Sequence, residues 1–311
     1  MKEEKNISAP AEEEIPIITI ERDDDGIGAV GREKRKIEKR YYVLLAISLA
    51  ALFLIVAFLV RKQWQRHTEL GVPQSVSVNE NIDKLKNYNA PIEQLAIVAD
   101  SFLFDNNMYD TYKLQGINQS HGGLEARLEI GEPDTADATV VFYSRSADHK
   151  ADGRYLDKLI IDGKEYKSVG RRYAYMAMAN KHIVMGVSKS SKISRYVKKQ
   201  NGSFFRQYIL LSNYAMPAVY DLKGVQYRCA YATTDGNDLL FVRSRQKQRM
   251  EDFAIALRNY GFRDAIYITG GDDFSYYRDA QGVRHDIGDV KHYPHHSGQD
   301  VIPWLVFRIS Q

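Results

Sequence analysis

The run Tyr41–Val60, YYVLLAISLAALFLIVAFLV, constrains what the rest of the chain can be. It carries no charge, and Ser48 is the one hydroxyl in its interior. Twenty residues rising ~1.5 Å each cover ~30 Å, the thickness of a bilayer's hydrocarbon core. A helix satisfies its own backbone groups, so lipid accepts it, whereas a soluble core helix of that length normally shows a polar residue or a turn signal. The sequence therefore predicts a transmembrane helix over 41–60, with a lipid bilayer as its partner.

Charge on the two flanks gives the orientation. Arg32, Lys34, Arg35, Lys36, Lys39 and Arg40 precede the span, and Arg61, Lys62 and Arg66 follow it. The positive-inside rule places the N-terminus in the cytoplasm and the large C-terminal part outside. Tyr41 and Tyr42 at one end and Trp64 at the other suit the interfacial aromatic belts. Forty hydrophilic residues before the run, and no small-residue cleavage site after it, mark a signal anchor rather than a cleaved leader.

Residues 1–40 read as a disordered cytoplasmic tail. Up to Asp25 there are three basic residues (Lys2, Lys5, Arg22) against nine acidic ones and almost no aromatic content, too little to offset chain entropy. The 251 residues from Arg61 to Gln311 hold 34 basic and 29 acidic side chains, enough chain for a sizeable core. A lone cysteine, Cys229, excludes a disulfide framework and an all-cysteine zinc site. It favours a bacterial periplasm over a eukaryotic secretory route, so the expectation is a single-pass inner-membrane protein with a periplasmic domain. The sequons at Asn118 and Asn201 matter only in the other compartment. A net charge of +3 is too small to indicate a nucleic-acid partner.

Residues 61–110 read as a connector and a short amphipathic helix. Gly71–Asn89 is polar, and Pro91 opens a helix with Ile92, Leu95, Ala96, Ala99 and Phe102 at three- and four-residue spacing. From about Tyr112 the pattern changes to short β-like runs: Thr139–Ser144, Lys158–Asp162, Arg172–Met178, His182–Ser188, Arg206–Ser212 and Val225–Ala232. The fold class expected for 111–311 is α+β, a mixed sheet containing a βαβ unit.

That unit runs from Asp238 to Asp273. Leu239–Val242 is a strand, and Ser244 is placed to cap the following helix. Met250, Phe253, Ala254 and Leu257 form that helix's apolar stripe, and Gly261 closes it. Ala265–Ile268 is a second strand, expected to run parallel to the first. It ends in Thr269-Gly270-Gly271-Asp272-Asp273. Ligands in such sheets gather outside the carboxyl ends of the strands. Gly270 and Gly271 leave amides open to an anion, and Asp272 and Asp273 offer carboxylates as separate acid, base or cation ligand. The plainer alternative is a tight turn with solvated aspartates.

His292, His295 and His296 lack the further ligand a zinc site needs and read as a polar loop, so no metal and no cofactor is expected. No G-x-S-x-G, H-E-x-x-H or phosphate-loop signature is present. Arg171-Arg172, Lys198-Lys199 and Arg243-Arg245-Lys247-Arg249 are suited to grip phosphate or to form solvated faces. The 21 tyrosines are suited to stack on sugar or to pack the core.

The order of these motifs resembles the phosphodiester glycosidase family, whose members include the enzyme that uncovers mannose 6-phosphate by removing N-acetylglucosamine. Ala177-Met178-Ala179-Asn180-Lys181-His182 is similar to the family's A-x-N-G segment, and Arg228 to its later strand arginine. Asp252–Leu257 is similar to its F-A-x-x-L helix, Ala265–Asp273 to its A-L-Y-L-D-G-G-x-S strand and turn, and Pro303–Phe307 to its closing N-W-L-V-F. The resemblance spans about Tyr173 to Phe307. It implies a phosphate held by Arg228 and the Gly270 and Gly271 amides, with Asn180 and Thr269 as further binding residues. Asp272 or Asp273 would be the acid or base. The departures fall on polar positions: Thr269 stands where the family has aspartate, Lys181 and His182 replace small residues, and Pro303 replaces asparagine. Two functions follow as expectations. One is an anchored envelope module that binds a saccharide, a glycan phosphate or envelope protein partners without turnover. The other is an active hydrolase of a sugar–phosphate diester.

Overall fold

The computed structural model describes residues 41–59, 76–87, 95–119, 122–131, 133–150, 154–170, 172–220, 222–235, 238–268, 275–288 and 302–310. Residues 1–40, expected as a tail, lie outside them, as do residues 269–274, expected as a turn, and His292, His295 and His296. The chain divides into two compact units, Met1–Thr68 and Glu69–Gln311.

In the first unit, Tyr41–Leu59 forms helix α1, long and apolar enough to cross a membrane. Its side chains are exposed throughout. Ser48 Oγ donates to the Leu44 carbonyl at 2.9 Å, so the interior hydroxyl spends its proton inside the helix.

The second unit is rich in sheet, and three sheets turn one face each toward a shared core. The six-stranded sheet has β1 (Ala96–Phe104), β2 (Asn107–Gln115), β10 (Ile209–Leu211), β11 (Cys229–Thr233), β12 (Leu239–Ser244) and β13 (Asp264–Ile268), in spatial order β1-β2-β12-β11-β13-β10. A second sheet holds β3 (Leu124–Ile130), β4 (Val140–Arg145), β14 (Ser275–Arg278), β15 (Arg284–Ile287) and β16 (Pro303–Ile309), ordered β15-β14-β4-β16-β3. The third holds β5 (Leu159–Ile161), β6 (Lys164–Tyr166), β7 (Ala174–Ala179), β8 (His182–Val187) and β9 (Ser203–Gln207), ordered β6-β5-β9-β7-β8.

Alternation divides each strand between two apolar layers. Met176 and Met178 of β7, Tyr231 of β11, Phe241 of β12, Ile266 and Ile268 of β13, and Leu305 and Phe307 of β16 enter the shared core. The intervening residues of β11, β12 and β13 pack under helix α4 (Met250–Tyr260), whose Phe253, Ala254 and Leu257 are fully buried. Helices α2 (Val78–Asn87) and α3 (Lys192–Lys199) cover the outer face of the third sheet through Leu85, Ile193 and Val197. The fold class is α+β, one apolar N-terminal helix followed by a sheet-rich domain.

The βαβ unit is present with one addition. β12 and β13 are each antiparallel to β11 and flank it, so they run the same way with β11 between them. Gly261 ends α4 at φ 108°, the left-handed conformation a residue without Cβ adopts readily. Ser244 does not cap α4, which begins six residues later; its Oγ accepts the Arg228 amide at 2.8 Å instead.

Two local expectations are overturned. Residues 96–104 are strand, not helix, because Asp105 and Asn106 both take positive φ (48° and 59°) and fold the chain into a two-residue hairpin onto β2. Phe102, expected on a helical stripe, stacks on Tyr109 of β2 at 4.8 Å and on Tyr260 of α4 at 4.2 Å. The polar stretch before it contains α2. Val78, Ile82 and Leu85 give that helix a narrow apolar stripe, and buried Asn81 donates to Tyr175 Oη at 2.8 Å and to the Met185 carbonyl at 3.1 Å. The sequon residue Asn118 is also structural, trading two hydrogen bonds with the backbone of Ile183.

Candidate functional site

Three strand ends converge at one place. β13 leaves the sheet at Ile268, whose register partner is Cys229, so Arg228 sits immediately outside the carboxyl end of β13. On the neighbouring side the chain passes from the third sheet to the first within a single residue, Tyr208, between β9 and β10. Its carbonyl accepts the Tyr267 amide at 2.9 Å. Arg145 ends β4, and Ser146 and Asp148 follow within three residues.

Arg228 is wholly buried. Its Nε donates to the Gln248 carbonyl at 3.1 Å and its Nη2 to the Gly224 carbonyl at 2.7 Å. Nη1 has no hydrogen-bond partner, and no carboxylate pairs with this guanidinium among the described residues. The guanidinium lies 5.7 Å from the Tyr267 ring centroid. Tyr267 stands edge-on to Tyr208 at 6.3 Å, and Arg172 lies over the Tyr208 ring at 3.8 Å. The result is a row of two tyrosines with an arginine at each end.

The second arginine is held from several sides. Arg172 Nη1 donates to Gln207 Oε1 at 2.9 Å and reaches Asp148 at 3.5 Å. Its amide donates to the buried Asp157 carboxylate, and its carbonyl accepts Arg206 Nη1 at 2.7 Å. Gln207, itself buried, donates to the Ser146 carbonyl at 3.0 Å, tying β9 to the end of β4. Burial pushes the Tyr267 phenol well up, and nearby Cys229 and Asp148 raise it further against the opposing pull of the neighbouring Arg228 guanidinium, so it is a neutral hydroxyl at ordinary pH. Burial, with Arg145 adding to it, pushes the adjacent His149 down, toward the neutral imidazole.

Asn180 and Arg228 are not brought together. Asn180 and Lys181, at φ 52° and 66°, form the two-residue turn between β7 and β8, whereas Arg172 precedes the other end of β7. The six residues of β7 span ~20 Å. Asn180 Nδ2 donates to the Leu85 carbonyl and to Tyr196 Oη, each at 3.1 Å. It lines a separate polar cleft of about 400 Å³ with Glu125, Arg127 and Asn201. Thr269, Gly270, Gly271, Asp272 and Asp273 lie outside the described residues and follow Ile268 directly in the chain.

Sequence reasoning missed Tyr208, Asp148 and Gln207, and left Arg172 as half of a basic pair. Their association depends on a crossing between two sheets that no local pattern announces. Among the described residues no cluster of histidine, cysteine and carboxylate has the makings of a metal site.

No protein-family model matches the chain, and no curated protein matches it. Among solved structures, the chain is similar to the catalytic domain of zebrafish N-acetylglucosamine-1-phosphodiester alpha-N-acetylglucosaminidase, auto-inhibited by its pro-peptide. The likeness has 12% identity and a TM-score of 0.47, over 72% of this chain and 86% of that one.

Proposed function

We propose that this chain is a single-pass membrane protein, N-terminus in the cytoplasm, whose sheet-rich unit lies beyond the membrane and holds a sugar phosphate diester without cleaving it. Arg228 carries this reading. A guanidinium excluded from water, with one nitrogen unpartnered and no carboxylate beside it among the described residues, is costly unless an anion supplies the missing charge. A phosphate matches the planar donor set of arginine, and the partly exposed Tyr208, edge-on to buried Tyr267, offers a ring against which a sugar packs. Gly270 and Gly271 bring further amides and Asp272 and Asp273 hydrogen-bond acceptors, all within five residues of the end of β13.

Most glycosidases work with a pair of carboxyl groups flanking the scissile bond. Threonine at 269 cannot supply one, and Asp148 within the cluster is engaged by Arg172. Both observations favour binding over turnover. A second reading, an active phosphodiester glycosidase using Asp272 or Asp273, draws on the two carboxylates that follow the strand.

The test uses the full chain in nonionic detergent with the methyl diester of N-acetylglucosamine 1-phosphate. Calorimetry reads binding, and phosphorus NMR reads release of methyl phosphate. Binding without release, lost in Arg228→Met, is the expected result. Release that stops in Asp272→Asn or Asp273→Asn establishes the second reading, and absence of binding refutes both. Protease added outside spheroplasts tests the orientation: it should digest the sheet-rich unit and leave the tail protected.

A further inference from the structure

The segment Arg243–Arg249 alternates between cations and uncharged polar residues, and from Ser244 on the polar ones point inward. Ser244 is fully buried with its Oγ on the Arg228 amide. Gln246 Oε1 accepts the Met108 amide at 2.9 Å, and Gln248 Oε1 accepts the Tyr109 hydroxyl at 2.8 Å. The even positions are thus each fastened to β2 or to Arg228. Of the odd positions, Arg245, Lys247 and Arg249 are exposed, whereas Arg243, on the same face of β12 as Phe241, is partly buried. Two residues of chain reach at most ~7 Å, so neighbouring cations are no farther apart than that along the backbone. Arg245 pairs with Asp110 at 2.6 Å and is still half exposed, and Lys247 lies 5.5 Å from the Tyr227 ring. Glu251 and Asp252 follow in the first turn of α4.

This row begins at the Arg228 site. The Ser244 amide donates to the Arg228 carbonyl at 2.8 Å, and Gln226 and Gln248 bridge the two segments. A fold that spends every second side chain on fixing the segment, and presents every other one as a cation, makes a rigid basic edge. Such an edge complements a linear polyanion, whose phosphates recur along one chain, better than a single small anion. We infer that the ligand of the Arg228 site is one unit of a linear phosphodiester-linked glycan, and that Arg245, Lys247 and Arg249 bind the phosphates of the following units. The inference rests on the sugar-phosphate reading of Arg228 and extends it from a monomer to a polymer.

The experiment compares two probes on the full chain in nonionic detergent: the methyl diester of N-acetylglucosamine 1-phosphate, and a tetramer of N-acetylglucosamine 1-phosphate units. The tetramer should bind at least about tenfold more tightly at low salt. With three cations each releasing ~0.7 counterion, its affinity should fall about 100-fold more steeply per decade of salt. The triple variant R245Q/K247Q/R249Q should lose that advantage and keep monomer affinity within about twofold of the parent, because all three side chains are on the surface and outside the Arg228 site. A tetramer that gains nothing, or whose gain survives the triple substitution, overturns the inference and leaves the monomer site standing. Failure of the monomer to bind overturns the Arg228 reading instead. A four-nucleotide deoxythymidine strand binding as tightly as the tetramer assigns the edge to charge alone and overturns the glycan assignment.

Discussion

Replacing Arg228 with methionine should remove ligand binding and leave the fold as stable as before. The side chain gives two hydrogen bonds, to the carbonyls of Gln248 and Gly224, and among the described residues its third nitrogen gives none. Losing two charge-assisted bonds costs ~3 kcal/mol. Against that, a buried cation with no carboxylate beside it among the described residues carries a desolvation penalty of roughly several kcal/mol, which an apolar side chain of similar length removes. Gly224 is exposed, so water takes over its carbonyl. The two effects nearly cancel, leaving the variant within ~1 kcal/mol of the parent or more stable. For a unit spanning Glu69–Gln311 that is a melting temperature lowered by no more than ~4 °C. Loss of an arginine–phosphate pair worth ~3 kcal/mol should weaken the diester by about 100-fold. Thermal melts by circular dichroism and calorimetry on the same preparations read both quantities. A melting temperature lowered by ~8 °C or more, with diester affinity unchanged, would show that Arg228 is a structural brace and refute the reasoning.

Three further outcomes follow from other parts of the molecule. Leu52→Arg places a charge near the middle of α1 at a cost of ~3 kcal/mol, and should move a fraction of the chain into the soluble phase on carbonate extraction. His149 has its folded-state pKa depressed by burial and by Arg145, so the unfolded chain binds the proton more readily. Its contribution is present above the ordinary histidine value near 6.5 and is lost as pH falls through the lower folded value. The parent should therefore lose more melting temperature between pH 7.5 and pH 5 than His149→Gln does, and equal losses would contradict this. Asn180→Gly should keep both fold and diester affinity, since glycine accepts the positive φ of the hairpin turn, whereas Asn180→Val should destabilise by ~1–2 kcal/mol. A marked loss of affinity in Asn180→Gly would restore that residue to the ligand site.

Much of the architecture is legible wherever a pattern is local. The span in α1 needs only length and apolarity. In α4, Phe253, Ala254 and Leu257 announce the buried face, and Gly261 announces the end. β1 was hidden because Leu95, Ala96, Ala99 and Phe102 fall at helical spacing by coincidence. Asp105-Asn106, a residue pair that tolerates positive φ, was the signal for a hairpin in its place. The site was half legible for the same reason. Arg228 lies on a recognisable strand approach, but Arg172 meets Tyr208 only because β9 and β10 belong to different sheets, and nothing within either segment records that crossing.

Phosphorus NMR of the methyl diester incubated with the full chain probes the proposed chemistry most directly. Broadening of the diester resonance that vanishes with Arg228→Met, and no methyl phosphate signal however long the incubation, is the predicted result. Growth of that signal, or a diester line that stays sharp at every protein concentration, would contradict a chain that grips a glycosyl phosphate and leaves it intact.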